Sequence, residues 1–263
     1  MIGAFARRLY LICQSLGVNP RRFWRSVTKL PAFARDWIAY SRSAGAEELP
    51  VRLRYLYPIL EDLGDEAGVA SGHYFHQDLW AARKVFARRP VEHVDVGSRI
   101  DGFVAHLLTF MPVMVVDIRP LQSNVPGLIF VQSDGTSLAN FEDASVDSLS
   151  SLHAVEHFGL GRYGDAIGAR AWRDGLNSLA RVLRPGGRLY LAVPIGVPRV
   201  EFNAHRVFAP VTVLDALSGL DLVSFSVVDD RGDLHENVSP ADYARARFSC
   251  GLFEYTKPIR GDE

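Results

Sequence analysis

Two stretches decide the architecture: SVDSLSSLHAVEHFGLGRYGD, residues 145–165, and LNSLARVLRPGGRLYLAVP, residues 176–194. The first opens with residues 146–152, Val146, Leu149 and Leu152 among serines, which predict a strand of the usual length. Between it and the second run, residues 166–183 carry Ala169, Trp172, Leu176, Leu179, Ala180 and Leu183 on one stripe at helical spacing. Arg184-Pro185-Gly186-Gly187 stops that helix, and residues 188–193 predict another strand. Strand, amphipathic helix and strand together form the unit from which parallel sheets are built.

The same alternation extends outward in both directions. Residues 91–96, 113–117 and 128–131 predict three strands, with a helix over 103–110 between the first two. A helical pattern over 73–89, with Phe75, Leu79, Ala82, Val85 and Phe86 on one face, is ended by Pro90. Downstream, 210–218 predicts a helix, and 221–228 and 248–256 predict two last strands. The fold class expected is α/β, a doubly wound, mainly parallel sheet covered on both faces.

In open α/β sheets a ligand lies beyond the carboxyl ends of the strands. The residues at those ends therefore matter most. The first strand leads into DVGSRIDG, residues 95–102, where Gly97 permits a tight turn and a following helix start offers free N–H groups. The second ends in Asp117, 22 residues after Asp95, where an acid accepts hydrogen bonds from ribose hydroxyls. The third leads to Asp134, placed to accept from an exocyclic amine such as that of adenine. Each acid alone also suits a helix cap.

With these residues in view, the run from Asp95 to Val193 resembles the class I S-adenosylmethionine-dependent methyltransferases. It is also similar to a small family of such proteins without assigned function. The phrases that carry the resemblance are SVDSL before the fourth strand, AVEH after it, and LARVLRPGGRLYL leading into the fifth. The resemblance implies a seven-stranded sheet in the order 3-2-1-4-5-7-6, the seventh strand antiparallel. It implies S-adenosylmethionine as cofactor, held by Asp95, Gly97, Ser98, Gly102, Asp117, Asp134, Gly135 and His153.

The first motif departs from the D-x-G-x-G-x-G of that class. The corresponding places read Asp95, Gly97, Arg99 and Asp101, with Gly102 one residue late. Two readings stay open: Arg99 points away and Gly102 makes the close approach, or the pocket is degraded. His153 to His157 spells H-x-x-E-H, the pattern of a zinc peptidase. Its position just after a strand, and the absence of nearby thiolates, lead us to expect no metal there.

The transfer expected is of a methyl group to a hydroxyl or other nucleophile on a small-molecule, sugar or lipid-linked acceptor. A hydroxyl acceptor needs a general base, and neutral histidine suits that near pH 7. His157, and His205 in the loop after the fifth strand, are the candidates. His73, Tyr74, Phe75, His76, Gln77 and Asp78, ahead of the first strand, are placed to close over the methionine part of the cofactor, with ordinary surface or helix packing as the alternative. The rival reading keeps the fold as a non-catalytic nucleoside- or partner-binding module. A nicotinamide oxidoreductase would require G-x-G-x-x-G, which the sequence lacks.

The chain has 263 residues, 48% hydrophobic and 22% charged, enough for a substantial core. The two cysteines, Cys13 and Cys250, make no disulfide framework and suit a reducing cytoplasm. The apolar start at residues 9–13 is a poor secretory signal, and no stretch approaches the length of a bilayer span. Charge is uneven: residues 1–44 hold eight basic side chains against Asp36 alone, with seven aromatics. Asn19-Pro20 and Leu30-Pro31 divide this segment into expected helices over 3–17, 21–29 and 32–43. We therefore expect a basic, aromatic extension with its linker over 1–72, and a methyltransferase-like domain over 73–263. The extension is expected to pack on the body or on a second copy, or to lie on an anionic membrane surface. No nucleic-acid partner is expected.

Overall fold

The computed structural model describes residues 2–60, 62 and 65–259, with side chains from residue 9 onward. The chain divides into two units, one ending at Val69 and one starting at Ala70, three residues before the boundary expected from sequence.

The first unit contains two helices, α1 (Ile2–Ser15) and α2 (Pro20–Ser41). Asn19 caps α2 by accepting from the Arg22 N–H at 3.0 Å, and Pro20 takes the first helical position, where no N–H is needed. The expected break at Leu30-Pro31 does not occur: α2 runs through Pro31. Proline removes one helical hydrogen bond, and here the intact turns on either side carry the helix past it. Within this unit Phe33, Trp37 and Tyr40 line a groove with Val51, Tyr55 and Tyr57. Phe23 and Trp24, by contrast, are each 67% exposed. Among the described residues no helix is long and apolar enough to cross a membrane.

The second unit is built on an eight-stranded sheet. Its strands are β1 (His93–Val96), β2 (Val113–Asp117), β3 (Leu128–Gln132), β4 (Val146–Leu152), β5 (Leu183–Ile195), β8 (Asp221–Val228), β9 (Leu234–His235) and β10 (Ser249–Thr256). A separate hairpin joins β6 (Arg199–Glu201) to β7 (His205–Val207). The sheet order is β3-β2-β1-β4-β5-β10-β8-β9. Pairs β3–β2, β2–β1, β1–β4 and β4–β5 are parallel, and β10 is antiparallel to both β5 and β8. This is the expected order with one addition. The two-residue β9 pairs with β8 and makes an eighth strand, too short to leave a pattern in the sequence.

The strands alternate their side chains between two cores. On one face α5 (Ala171–Val182) and α6 (Pro210–Ala216) bury Leu176, Leu179, Val182 and Val213 against Val94, Val96, Leu149 and Leu189. On the other, α3 (His73–Arg88) and the short α4 (Ala105–Leu107) bury Trp80, Val85 and Leu107 against Val113, Val115, Tyr190 and Leu252. From β1 the chain winds outward through β2 and β3, then returns to β4 on the other side of β1. The point where the winding reverses is where such sheets open a crevice.

Three local expectations are corrected. The helix predicted over 103–110 is a π-helical turn, Ile100–Val104, followed by α4. α5 starts at Ala171 rather than 166, because Asp165 ties the preceding loop. Its carboxylate accepts from the N–H groups of Gly159 at 2.7 Å, Gly161 at 3.2 Å and Tyr163 at 3.2 Å. The Arg184–Gly187 stop lies inside β5, where pairing jumps from Val146↔Leu183 to Ser148↔Arg188. Leu179 is fully buried between α5 and the sheet. Leu179→Ala should therefore cost about 2–5 kcal/mol, read as a lower midpoint in urea unfolding of the full chain.

Candidate functional site

The loop after β1 hangs on one buried carboxylate. Asp95 is fully buried in β1. It accepts from the Ser98 N–H at 3.1 Å, from the Ser98 hydroxyl at 2.5 Å and from the Ser150 hydroxyl. With Ser150 donating to Asp95, its oxygen is free to accept from His93 Nε2 at 2.9 Å. His93 Nδ1 can then accept from the Ser148 hydroxyl at 2.8 Å. Burial pushes Asp95 up to about 6 against its three hydrogen bonds, and burial pushes His93 down to about 3. Asp95 therefore lines no cleft; it sets the loop. Ser98 does the same from the other side, its hydroxyl also accepting from the Leu152 N–H at 3.0 Å.

Gly97 carries the turn with φ +75°, and a Cβ there would lie 2.8 Å from the Ala154 side chain. Gly102 does not approach a cleft, contrary to one of the readings left open. A Cβ at Gly102 would strike the Asp78 carboxylate of α3, so its small size serves packing between α3 and the π-helical turn. Arg99 is drawn to Asp101 at 2.8 Å and lies over the Tyr74 ring at 4.9 Å.

Two adjoining clefts open beyond the strand ends. The first is lined by Gly97, Asp117, Asp134, Gly135, His153 and His157, together with Arg119, Phe158 and Tyr163. The second shares Gly97, Asp117, His153 and His157 and extends to Tyr74 and Arg99. Asp117 accepts from the Arg119 N–H at 2.8 Å, and its carboxylate is gripped by the Arg119 guanidinium at 2.7 and 3.0 Å. That guanidinium also covers the Tyr163 ring at 4.4 Å. Asp134 accepts from the Thr136 N–H at 2.8 Å. Gly135 makes room for Phe158, whose ring would lie 2.8 Å from an added Cβ, and Gly175 of α5 makes room for the same ring.

The strand-end acids and glycines thus converge, except Asp95 and Gly102, which work behind the surface, while Ser98 both holds Asp95 and lines the second cleft. The histidines separate. His157 lines both clefts; its Nδ1 donates to the Ala204 carbonyl at 2.7 Å, and burial lowers its pKa. His205 lines neither cleft and packs on Phe248. Arg206 holds the chain after β4 by donating to the carbonyls of Glu156 and Phe158. His153 and His157 do not form the two-histidine face of a peptidase helix, because Val155–His157 is a single 3-10 turn. His153 Nδ1 instead pairs with Glu156 at 2.7 Å. Arg119, Phe158, Tyr163 and Asp165 went unnoticed in the sequence; the run of Gly159, Gly161 and Gly164 was the signal for a shaped loop there.

Asp95 generates a pH prediction. Its folded pKa of about 6 lies above the ordinary carboxyl value, so between pH 4 and 6 the folded chain holds a proton that the unfolded chain has lost. Stability from this group falls as pH rises through that window and is level above it. In Asp95→Asn that slope is absent. The stability of the wild type minus that of the variant should drop by about 2 kcal/mol from pH 4 to 6 in urea titrations.

Similarity to known proteins bears on the fold. Residues 133–241 match the family described as Caenorhabditis protein of unknown function, DUF268. No curated protein matches the chain by sequence. Among solved structures, a similar fold is seen in the [4+2]-cyclase SpnF, at 14% identity and TM-score 0.52, over 75% of this chain and 91% of that one. It is seen again in the 1,6-didemethyltoxoflavin-N1-methyltransferase of Burkholderia thailandensis, solved with S-adenosylhomocysteine, at 17% identity and TM-score 0.50, over 70% of this chain and 79% of that one. The YcgJ protein of Bacillus subtilis is similar at 14% identity and TM-score 0.50, over 70% and 99%. The chain has the class I S-adenosylmethionine-dependent methyltransferase fold, and within it a segment that matches a family of unknown function.

Proposed function

We propose that the paired clefts bind S-adenosylmethionine and that the protein transfers its methyl group to a hydroxyl of a small-molecule, sugar or lipid-linked acceptor. The observation that carries this is the convergence of Gly97, Asp117 and Asp134 on one cleft from the ends of β1, β2 and β3. The residues fit the group. Asp117 is an acceptor-only carboxylate; beside its three bonds from Arg119 it keeps room for one ribose hydroxyl, and the half-exposed Arg119 guanidinium must yield a position to the second. Asp134 and the Phe158 ring suit a purine amine and its face. When bound, the cofactor supplies an electrophilic methyl on sulfur. The chain's part is to orient and to accept a proton. With Nδ1–H fixed on Ala204, neutral His157 keeps its Nε2 lone pair, and burial keeps it neutral at pH 7. Holding the reactants in line contributes most of the rate.

Fold alone does not fix the reaction, as the cyclase among the similar structures illustrates. Titration of the full chain with S-adenosylmethionine and S-adenosylhomocysteine tests the reading. Asp117→Ala removes one charged acceptor, worth about 1.5–3 kcal/mol, and should weaken binding roughly ten- to a hundredfold. Failure of the wild type to bind at millimolar cofactor would sink the proposal in favour of a module that binds something else.

For the extension we propose peripheral docking on an anionic, cytoplasmic membrane face, which suits a lipid-linked acceptor. Phe23 and Trp24 stand exposed beside Arg21, Arg22 and Arg25 on the first turns of α2. Each basic side chain near such a surface contributes about 1 kcal/mol, and the aromatics add interfacial burial. The full chain should float with phosphatidylserine vesicles at low salt, and Phe23→Ser with Trp24→Ser should abolish it. Equal failure of both to float means that the extension is architectural.

A further inference from the structure

Behind the wall shared by the two clefts lies a cluster that the methyl-transfer proposal does not use. His73 at the start of α3, His153 after β4 and Cys250 in β10 bring their ligand atoms within 4.8 Å of one another. Cys250 is fully buried and His153 is 8% exposed. His153 Nδ1 is committed to Glu156, and its Nε2 is buried with no hydrogen-bond partner. An imidazole nitrogen buried without a partner is costly unless something is meant to meet it.

The surroundings have the form of a metal centre's outer layer. Metal-binding histidines typically donate their other ring N–H to a carboxylate or a backbone carbonyl. His153 does so to Glu156. The His73 and His153 rings lie parallel, with centroids 5.3 Å apart, and Phe248 stacks on the outer face of His73. We propose that His73, His153 and Cys250 form a binding site for a divalent transition-metal ion, zinc by the chemistry of the donors.

One thiolate and two imidazoles match the softness zinc prefers. Three protein ligands leave a fourth position for water or an acceptor oxygen, the pattern of a catalytic rather than a structural ion. His153 lines both clefts, whereas His73 and Cys250 line neither, so the ion sits behind the wall that His153 forms. A tetrahedral ion with bonds near 2.0–2.3 Å needs ligand atoms roughly 3.5 Å apart. The half-buried His73 side chain at the helix start has the freedom to close that gap. The expectation of no metal at 153–157 rested on missing thiolates; β10 delivers one from nearly a hundred residues away. The site stands independently of cofactor binding.

The test uses the full chain without nucleotide, stripped with a chelator, dialysed, and titrated with zinc chloride against a chromophoric competitor. One equivalent should bind at micromolar or better, and cobalt(II) should give a thiolate-to-metal charge-transfer band. Cys250→Ser should remove that band and weaken zinc at least a hundredfold, Glu156→Gln should weaken it roughly ten- to a hundredfold, and Cys13→Ser should change nothing. No zinc bound by the wild type, or unchanged binding in Cys250→Ser, overturns the site. Should that buried variant fail to fold, His73→Gln at the less buried ligand decides: zinc binding equal to wild type overturns the site, and a loss of at least a hundredfold supports it.

Discussion

The hydrogen bonds of the buried Asp95 carboxylate are the constraint on which the clefted edge of this sheet depends. A carboxyl group in the middle of a parallel sheet has no water to turn to. It is tolerated because two serines, Ser98 and Ser150, supply three donors. One serine belongs to the loop that must be shaped and the other to the adjacent strand, so the same bonds fix the loop against β4. Ser150 and His93 then pass the polarity along to Ser148, and no atom of that chain is left unsatisfied. With the backbone pinned this way, Gly97 can hold its positive φ beside Ala154, and the cleft wall follows.

A second layer of the same logic holds the opposite wall. Asp165 collects three N–H groups of the glycine-rich loop, and these bonds outweigh burial to hold its pKa below the usual carboxylate range. Arg206 collects backbone carbonyls from the turn at 156–158. Between them Phe158 is wedged against Gly135 and Gly175, positions where any side chain would collide with the ring. The wall is thus set by satisfied backbone groups and a single aromatic. The charged residues that face the clefts are placed on it rather than shaping it.

His153 and Glu156 show how far a buried pair can shift. Burial opposes charge on both. Their mutual attraction, with Cys250 beside the imidazole, raises His153 well above and lowers Glu156 below the ordinary values. His73, stacked on that ring, is driven the other way, to about 4, by burial and by the neighbouring imidazole. Two histidines and a glutamate so strongly coupled, at the back of a cleft, mark a place where a ligand changes the balance of charge.

Much of the architecture was legible in the sequence, because it rests on local periodicity. The strand of 146–152, the stripe of α5 and the acids at the ends of β1 and β2 each follow from side-chain spacing and burial, which act within a few residues. That spacing determined the class of fold, the edge where ligands sit and the candidacy of Asp117, Asp134 and His157. What the tertiary structure alone decided depends on partners distant in the chain. It turned Asp95 inward, gave Gly102 to Asp78, set Arg119 on Asp117 and Tyr163, left His205 outside the clefts, and carried Cys250 to His153. A side chain's role in a site is set by which others stand within a few ångströms of it, and that distance has no counterpart in sequence separation.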